Sequence, residues 1–239
     1  MCCPVQRRLI DAIAWSATFD LLPELPSWAS TGFTWAPSLT RDGSEYQLYF
    51  AARHTESQRQ CIGVATSDRA TGPFRSDSAV PLVCQIALGG SIDPDVVTID
   101  GERWLMWKND GNCCGITTTI WVQRLDGTRL VGSADAILSA DARWEGGVIE
   151  NPSALATGNT TLVLYSANDW TPGDYGTGAA PCVGAWLGCE KRSRAATVLT
   201  SEAGTAGSGG ASFFVDAGGR PRIAWHAWRT GVDGVRVRT

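Results

Sequence analysis

The chain has 239 residues, of which 44% are hydrophobic and 18% are charged, and its formal net charge is −4. This composition is typical of a globular protein and unlike that of a disordered chain. The negative charge and the lack of a long basic cluster argue against a nucleic-acid partner. No apolar run reaches the roughly 20 residues that a membrane helix needs, so no membrane partner is predicted either. The sequence leaves the oligomeric state open.

The first residues have only the outline of a signal peptide. A charged pair, Arg7-Arg8, precedes the short apolar segment 9–15, and Asp11 interrupts that segment. An export signal needs a longer uninterrupted apolar core. We therefore predict no signal peptide within this sequence.

From residue 28 onward one pattern recurs about every 58 residues. Each copy has an apolar stretch, a glycine-containing turn, and a second apolar run that ends in an aromatic residue. The first three copies open at Pro37, Pro94 and Pro152 and turn at Gly43, Gly101 and Gly158; the fourth, at 212–225, lacks the proline and turns at Gly218-Gly219. Glycine supplies the positive φ of a tight hairpin turn. A fixed period of strand–turn–strand signals is typical of propellers and other repeat arrays.

Further strand-like segments lie between the hairpins, at 61–66, 118–123 and 178–183. Three to four strands in each unit is the content of a propeller blade. We therefore predict an all-β fold that forms one propeller domain over 1–239. The predicted blade-like units are 28–85, 86–143, 144–202 and 203–239, with 1–27 as the remnant of a first blade.

Eight cysteines favour disulfides in an oxidising compartment, so we expect an extracellular protein. No C-x-x-C is present, and two histidines leave little for a zinc site. The pairs that we predict are Cys61–Cys84 and Cys182–Cys189; the alternative is buried free thiols, which pack as small apolar residues. The neighbours Cys113-Cys114 and Cys2-Cys3 are left open.

Two carboxylates lie at nearly the same position of the repeat. Asp93 directly precedes Pro94, and Glu150 lies two residues before Pro152. The innermost strand of each propeller blade lines a central channel, so these acids would converge there. A carboxylic acid that protonates a leaving oxygen, with a second carboxylate, is what glycoside hydrolysis requires. Trp35, at the corresponding place of its own unit, would offer a flat apolar face to a sugar ring.

Each of these acids also has a plainer interpretation. Asp before Pro is a common turn dipeptide, and Glu150 would then be an exposed loop acid. Glu145 competes with Glu150 because it is also acidic and close in sequence. Glu150 is favoured because it lies, like Asp93, within two residues of the proline that opens its copy of the repeat. Three aromatic residues, Trp121, Trp170 and Tyr175, would stack on sugar or pack between blades, and the mid-strand position of Trp121 favours packing.

An ordered set of motifs between about residues 23 and 228 resembles glycoside hydrolase family 43. The motifs are Trp35-Ala-Pro37 and the segments 61–67, 71–74, 91–94, 144–152, 165–167 and 225–228. The resemblance implies a five-bladed β-propeller, with about four blades in this chain. It also implies an inverting hydrolase that acts on arabinose- or xylose-containing plant polysaccharides. By the same resemblance Glu150 is the general acid and Asp93 tunes the pKa and orientation of that acid.

Two positions depart from the family pattern. The family's base is an Asp on the first blade, and only Asp11 and Asp20 are nearby here. The chain would then be inactive as given, or a non-catalytic carbohydrate-binding propeller. Gly210 stands where many relatives carry a histidine that helps organise a central cation, so no metal and no cofactor are expected. His226 is expected to be a packed strand residue.

An interaction propeller of the WD-repeat kind is a third interpretation. The long period, the absent Gly-His and Trp-Asp signatures, and the in-phase acids argue against it. The choice between arabinose and xylose, and between exo and endo cleavage, depends on loop shapes that the sequence does not reveal.

Overall fold

The computed structural model describes residues 5–6, 19–171, 173–193, 197–199, 204–230 and 236–238. Cys2, Cys3 and Asp11 therefore lie outside the described residues. Secondary structure in the described part consists of 15 β-strands and three short 3₁₀ helices, at Ile86–Leu88, Gly111–Cys114 and Arg143–Glu145. The all-β prediction is confirmed. None of these helices has the length or the apolar character to span a bilayer.

In the described part, the strands form five antiparallel sheets that follow one another along the chain. The first sheet pairs β1 (Val5–Gln6) with β2 (Phe19–Asp20), and the second contains β3 (Ala29–Asp42), β4 (Glu45–His54) and β5 (Gln60–Ser67). The third contains β6 (Ser91–Ile99), β7 (Glu102–Asn109), β8 (Thr119–Asp126) and β9 (Arg129–Ser139). The fourth contains β10 (Ile149–Thr157), β11 (Thr160–Ala167) and β12 (Gly176–Val183), and the fifth contains β13 (Thr205–Val215), β14 (Pro221–Thr230) and β15 (Arg236–Arg238).

The predicted hairpins are present at all four copies of the repeat. They are β3–β4, β6–β7, β10–β11 and β13–β14, and β5, β8 and β12 are the strands predicted between them. The turn glycines Gly43, Gly101, Gly158 and Gly219 have φ of 57°, 81°, 58° and 74°. Any residue with a Cβ is strained at such angles, which explains why the turns recur with glycine.

Apolar cores lie between consecutive sheets. The central strand β7 shows this most clearly, because its successive side chains point to opposite faces. Leu105 and Trp107 pack with Tyr49 of the second sheet, whereas Met106 packs with Val163 of the fourth. A smaller core between the fourth and fifth sheets contains Leu164, Ala179 and Ala211. The sheets therefore stack face to face, and the first strands β3, β6, β10 and β13 contact one another in that order.

Each of these four first strands has a bulge at the same place. Regular pairing is interrupted between Trp35 and Ser38, between Ile92 and Asp95, between Glu150 and Ser153, and between Gly209 and Ser212. The residues Ala36, Asp93, Asn151 and Gly210 within the bulges have φ of 47°, 55°, 47° and 64°. A bulge bends its strand and re-aims the side chains around it. The four bulges therefore define one repeated position along the first strands.

Three disulfides lie within the described part. Cys61–Cys84 and Cys182–Cys189 are joined as predicted. The neighbours Cys113 and Cys114, which the sequence left open, are also bonded to each other.

Candidate active site

Glu150 is the second residue of β10, and two side chains hold its carboxylate. The buried Lys108 of β7, in the neighbouring sheet, donates to Oε2 at 2.9 Å. Tyr175, which directly precedes β12, donates its hydroxyl to Oε1 at 2.7 Å. A buried ammonium needs an anionic partner to offset the cost of leaving water. Glu150 is therefore the counter-ion of Lys108, and its two oxygens are fixed in direction.

Asp93 lies in the bulge of β6 and contacts the next first strand. Its Oδ2 accepts the Asn151 N–H at 2.9 Å, so it touches the residue that follows Glu150. Burial raises the pKa of Asp93 to about 6, repulsion by Glu150 adds to the rise, and Lys108 opposes it. The structure thus brings these two candidate acids into one electrostatic cluster.

Sequence reasoning missed Lys108 and a third acid of this cluster, Asp110. Burial raises the pKa of the Asp110 carboxyl, and the charges of Lys108 and Arg59 oppose that rise. Lys108 also donates to Oδ1 of Asn112 at 2.9 Å, which attaches the loop after β7 to the cluster. A charged residue at the end of the otherwise apolar run 104–107 was the signal in the sequence.

A cavity of about 210 Å³ lies where the four bulges meet. It is lined by residues 36–39, 93–95, 151–152 and 212–213. A larger cavity of about 350 Å³ lies at the turn end of the strands, around Arg103 and Arg124, and contains none of the candidate acids. Of these two cavities, the bulge cavity is the one that a candidate acid, Asp93, lines.

Asp95, a second missed acid, lines the bulge cavity. Its Oδ1 accepts the hydroxyl of Ser38 at 2.9 Å. Ser153 and the backbone N–H groups of Val96 and Ala154 also donate to this carboxyl, and burial raises its pKa to about 6. Its signal was the recurrence of a small polar residue after each bulge, where the other strands have Ser38, Ser153 and Ser212.

Trp35 directly precedes the bulge of β3, the position that Glu150 has in β10. Its side chain is 46% exposed, and its ring packs edge-on against Phe33. The neighbouring Ala36 lines the bulge cavity. Trp35 is thus partly exposed at the same level of the repeat as Glu150, and its contact with sugar stays a prediction.

Glu145, the sequence competitor of Glu150, is fully buried. It accepts the N–H groups of Asp141 and Ala142 at 2.9 Å each and the hydroxyl of Tyr165 at 2.9 Å. Lys191 forms an ion pair with it at 2.8 Å. With its oxygens engaged in this way, Glu145 fastens the 3₁₀ helix Arg143–Glu145 to the fourth sheet and has no open side for a substrate.

Trp121, Trp170 and Tyr175, which were expected either to stack on sugar or to pack between blades, have different surroundings. Trp121 packs against the core between the second and third sheets, as its mid-strand position predicted. Trp170 is 51% exposed and stacks on Trp228. Tyr175 has a role that neither interpretation anticipated, because its hydroxyl binds the candidate acid directly.

At Gly210, the position where many relatives were expected to carry a cation-organising histidine, a side chain from another strand occupies the space. A Cβ built on Gly210 would lie 2.2 Å from Nε2 of His226, so the imidazole of β14 occupies the space above this glycine. The ring of His226 also stacks on Tyr175 with centroids 6.1 Å apart, and it is a packed strand residue. Among the described residues, His54, Cys61 and Cys84 alone bring three potential metal-binding atoms within 4.8 Å of one another. The two sulfurs of that group form a disulfide and are therefore not thiolate ligands.

Comparisons with known proteins identify the family of this chain. The sequence profile of the glycosyl hydrolases family 43 matches residues 11–238. The fold resembles that of a thermostable family-43 glycoside hydrolase, with 22% identity, a TM-score of 0.73, and coverage of 83% of this chain and 67% of that one. An endo-1,4-beta-xylanase from Bacteroides thetaiotaomicron VPI-5482 is 24% identical, with a TM-score of 0.70 and coverage of 89% and 77%.

An alpha-L-arabinanase from Cellvibrio cellulosa is 14% identical, with a TM-score of 0.74 and coverage of 98% of this chain and 83% of that one. A search of curated protein sequences finds no significant match. The profile match extends over nearly the whole chain. The protein therefore belongs to family 43 of the glycosyl hydrolases, and its class is that of a glycosidase.

Proposed function

We propose that the protein hydrolyses O-glycosidic bonds of arabinose- or xylose-containing plant polysaccharides with inversion at the sugar carbon. Glu150 is the general acid, and Asp93 orients it and tunes its protonation. The observation that carries the proposal is the meeting of Glu150, Asp93 and buried Lys108 at the bulges of two neighbouring first strands. The solved structures that the fold resembles include a xylanase and an arabinanase, which supports the same substrate class.

We also interpret the stacked sheets as blades of a five-bladed β-propeller. The four units 28–85, 86–143, 144–202 and 203–239 would each be one blade, and 1–27 would belong to another. The common bulge position and the side-by-side first strands support this interpretation, since the innermost strands of a propeller line its channel. The candidate site would then lie at that channel.

The acid role of Glu150 requires that the cluster of acids around it holds a proton. Three carboxylates, Asp93, Asp110 and Glu150, surround the ammonium of Lys108. Arg59 balances part of the Asp110 charge, but Asp93 and Glu150 share the ammonium of Lys108, so the cluster retains a proton into the mildly acidic range. In our proposal Glu150 gives a proton to the leaving glycosidic oxygen, and the carboxylate that results pairs with Lys108.

A non-catalytic carbohydrate-binding protein is the second candidate. An inverting hydrolase needs a base roughly 6.5–9.5 Å from the acid. Asp20, the described acid of the first sheet, instead accepts the Leu22 N–H at 3.0 Å in a local turn, which favours this candidate. Such a protein would retain Trp35 and the cavity as a sugar site.

Hydrolysis of nitrophenyl α-L-arabinofuranoside, nitrophenyl β-D-xyloside and debranched arabinan separates the two candidates. We expect turnover by the wild type and a loss of about 10²–10⁴-fold in Glu150→Gln, with oligosaccharide binding retained. The matched control is Glu102→Gln, a surface acid paired with Arg124, which should be as active as the wild type. Equal turnover in Glu150→Gln would overturn the acid assignment. Binding without turnover in the folded wild type would establish the second candidate.

We further infer that the protein acts outside the cell on an oligo- or polysaccharide. The disulfides Cys61–Cys84, Cys113–Cys114 and Cys182–Cys189 support this location, because such bonds persist in oxidising compartments.

A further inference from the structure

The loop between β7 and β8 carries a disulfide that the proposed chemistry does not use. Cys113 and Cys114 are bonded to each other, and both are exposed. A bond between adjacent residues closes almost no chain loop, so it removes very little entropy from the unfolded chain. Its contribution to stability by this route is therefore small. The exposed Cys113–Cys114 bond therefore points to a role other than stabilising the fold.

This loop is held in a fixed place. The Ile116 N–H donates to the Gly111 carbonyl at 2.9 Å and closes the turn that contains both cysteines. At the start of the loop, the amide of Asn109 donates to the Leu88 and Thr117 carbonyls and accepts the Thr119 N–H. The cysteines are thus presented on a braced turn.

Lys108 joins the same turn to the candidate acid. Its ammonium donates to Oδ1 of Asn112 and to Oε2 of Glu150, at 2.9 Å in each case. Cys113 directly follows Asn112 in the chain. Asn112 and Glu150 therefore accept hydrogen bonds from the same ammonium group, and the disulfide directly follows Asn112 in the chain.

Arg59, from the loop between β4 and β5, completes the surface. Its Nη1 lies 2.8 Å from Sγ of Cys114 and 3.2 Å from Sγ of Cys113. The charge of Asp110 balances that of the guanidinium. Disulfide sulfurs are apolar and polarisable, and the guanidinium has five N–H groups in a planar fork. An apolar face beside a fork of donors complements a sugar ring, which has a C–H face and a hydroxyl edge.

We propose that Cys113, Cys114 and Arg59, together named the sulfur platform, bind the pentose unit next to the one that is cleaved. The apolar face of that sugar lies on the two sulfurs, and Arg59 donates to one of its hydroxyls. This inference rests on the proposed function, because it assigns a neighbouring sugar position to the site around Glu150.

The test measures binding, so that hydrolysis does not complicate it. Calorimetric titrations with arabinotriose and xylotriose would compare Glu150→Gln with the same variant carrying Cys113→Ser and Cys114→Ser. We expect the serine pair to weaken binding of one of these sugars about tenfold, because a ring-stacking contact is worth roughly one factor of ten. A second variant, Arg59→Gln, should weaken it by a similar factor and leaves the disulfide in place.

The matched control is Cys182→Ser with Cys189→Ser, which removes the disulfide of the fourth sheet and should bind as Glu150→Gln does. Thermal unfolding would establish that each variant is folded. Unchanged affinity in both the serine pair and Arg59→Gln overturns the sulfur platform and leaves the proposed function intact. If Glu150→Gln binds neither sugar and the wild type hydrolyses none of the substrates above, the proposed function fails, and this inference fails with it.

Discussion

Lys108 sets the electrostatics of the candidate site although it is not itself an acid or a base of the proposed reaction. Its side chain is fully buried, and its ammonium is the cation beside Glu150, Asp93 and Asp110. The desolvation cost of such an ion is several kcal/mol, and a nearby carboxylate offsets it. The ammonium also positions Asn112, so one residue determines both the charge of the acid cluster and the place of the loop that follows β7.

Replacing Lys108 by methionine tests this dependence. We expect Lys108→Met to destabilise the protein by about 3 kcal/mol, because Glu150 loses its buried counter-ion. In Glu150→Gln the same replacement should cost clearly less, since the carboxylate that Lys108 contacts directly is then absent. Urea unfolding of the wild type, both single variants and the double variant gives the coupling energy. Additive effects of the two substitutions would contradict the ion pair, and Lys108→Arg serves as the control that retains the charge.

At the scale of the element, the bulges of the first strands bring the site together. Pairing resumes after each bulge with one residue displaced, so the residue before it and the residue after it lie opposite two residues of the partner strand that share one face. This places Ile92 and Asp95 opposite Lys108 and Met106 of β7, which lie on one face of their strand. Asp93 is left within the bulge, where its carboxyl reaches the neighbouring strand β10.

The glycine in the fourth bulge gives a prediction with an internal control. Gly210→Ala should destabilise the protein by about 2–4 kcal/mol, because φ is 64° and the new Cβ would lie 2.2 Å from the ring of His226. Ala36→Gly, at the equivalent position of β3, should change stability by less than about 1 kcal/mol, since relief of strain and greater freedom of the unfolded chain oppose each other. Denaturant midpoints measure both. Equal effects of the two substitutions would contradict the predicted clash between a Cβ at position 210 and the ring of His226.

The sequence predicted the elements well because each hairpin depends on local signals. Proline, turn glycine and terminal aromatic residue recur in one segment, and their period located Asp93 and Glu150. Lys108, Tyr175 and Asp95 escaped prediction for a physical reason. Lys108 reaches Glu150 from another sheet, Tyr175 from a loop, and Asp95 binds serines on two other strands, so all three depend on how sheets stack.

At the scale of the whole molecule, Asp95 holds three sheets together. It lies on β6 and accepts hydrogen bonds from Ser38 of β3 and from Ser153 and Ala154 of β10. Four donors converge on this carboxyl, and burial still raises its pKa to about 6. The carboxyl of Asp95 thus joins the first strands by hydrogen bonds, although its burial disfavours the charged form.

The pH dependence of stability follows from Asp95 and Asp93. Both have a pKa of about 6 in the folded protein, above the ordinary value of 3.8, so the folded state binds more protons than the unfolded state between about pH 4 and pH 6. Their contribution to the free energy of unfolding therefore falls as pH rises through that range. In Asp95→Asn this fall should be smaller by on the order of 2 kcal/mol.

Urea unfolding at pH 4, 5, 6 and 7 measures the difference between the variant and the wild type. Asp126→Asn, which changes an exposed acid at the turn between β8 and β9, should have the same pH dependence as the wild type. An identical dependence in Asp95→Asn would contradict the raised pKa of Asp95.

The stacking of sheets across shared cores also determines how the molecule comes apart. The third sheet has its Leu105 and Trp107 in one core and its Met106 in the next, so the loss of this one sheet exposes apolar surface on both neighbours. Repeat proteins can open unit by unit when each interface is weak. Here a single opened unit would lose two interfaces at once, which makes a partly opened state costly. We therefore expect the amide protons of β7 to exchange with solvent only when the sheets separate together, in one cooperative transition.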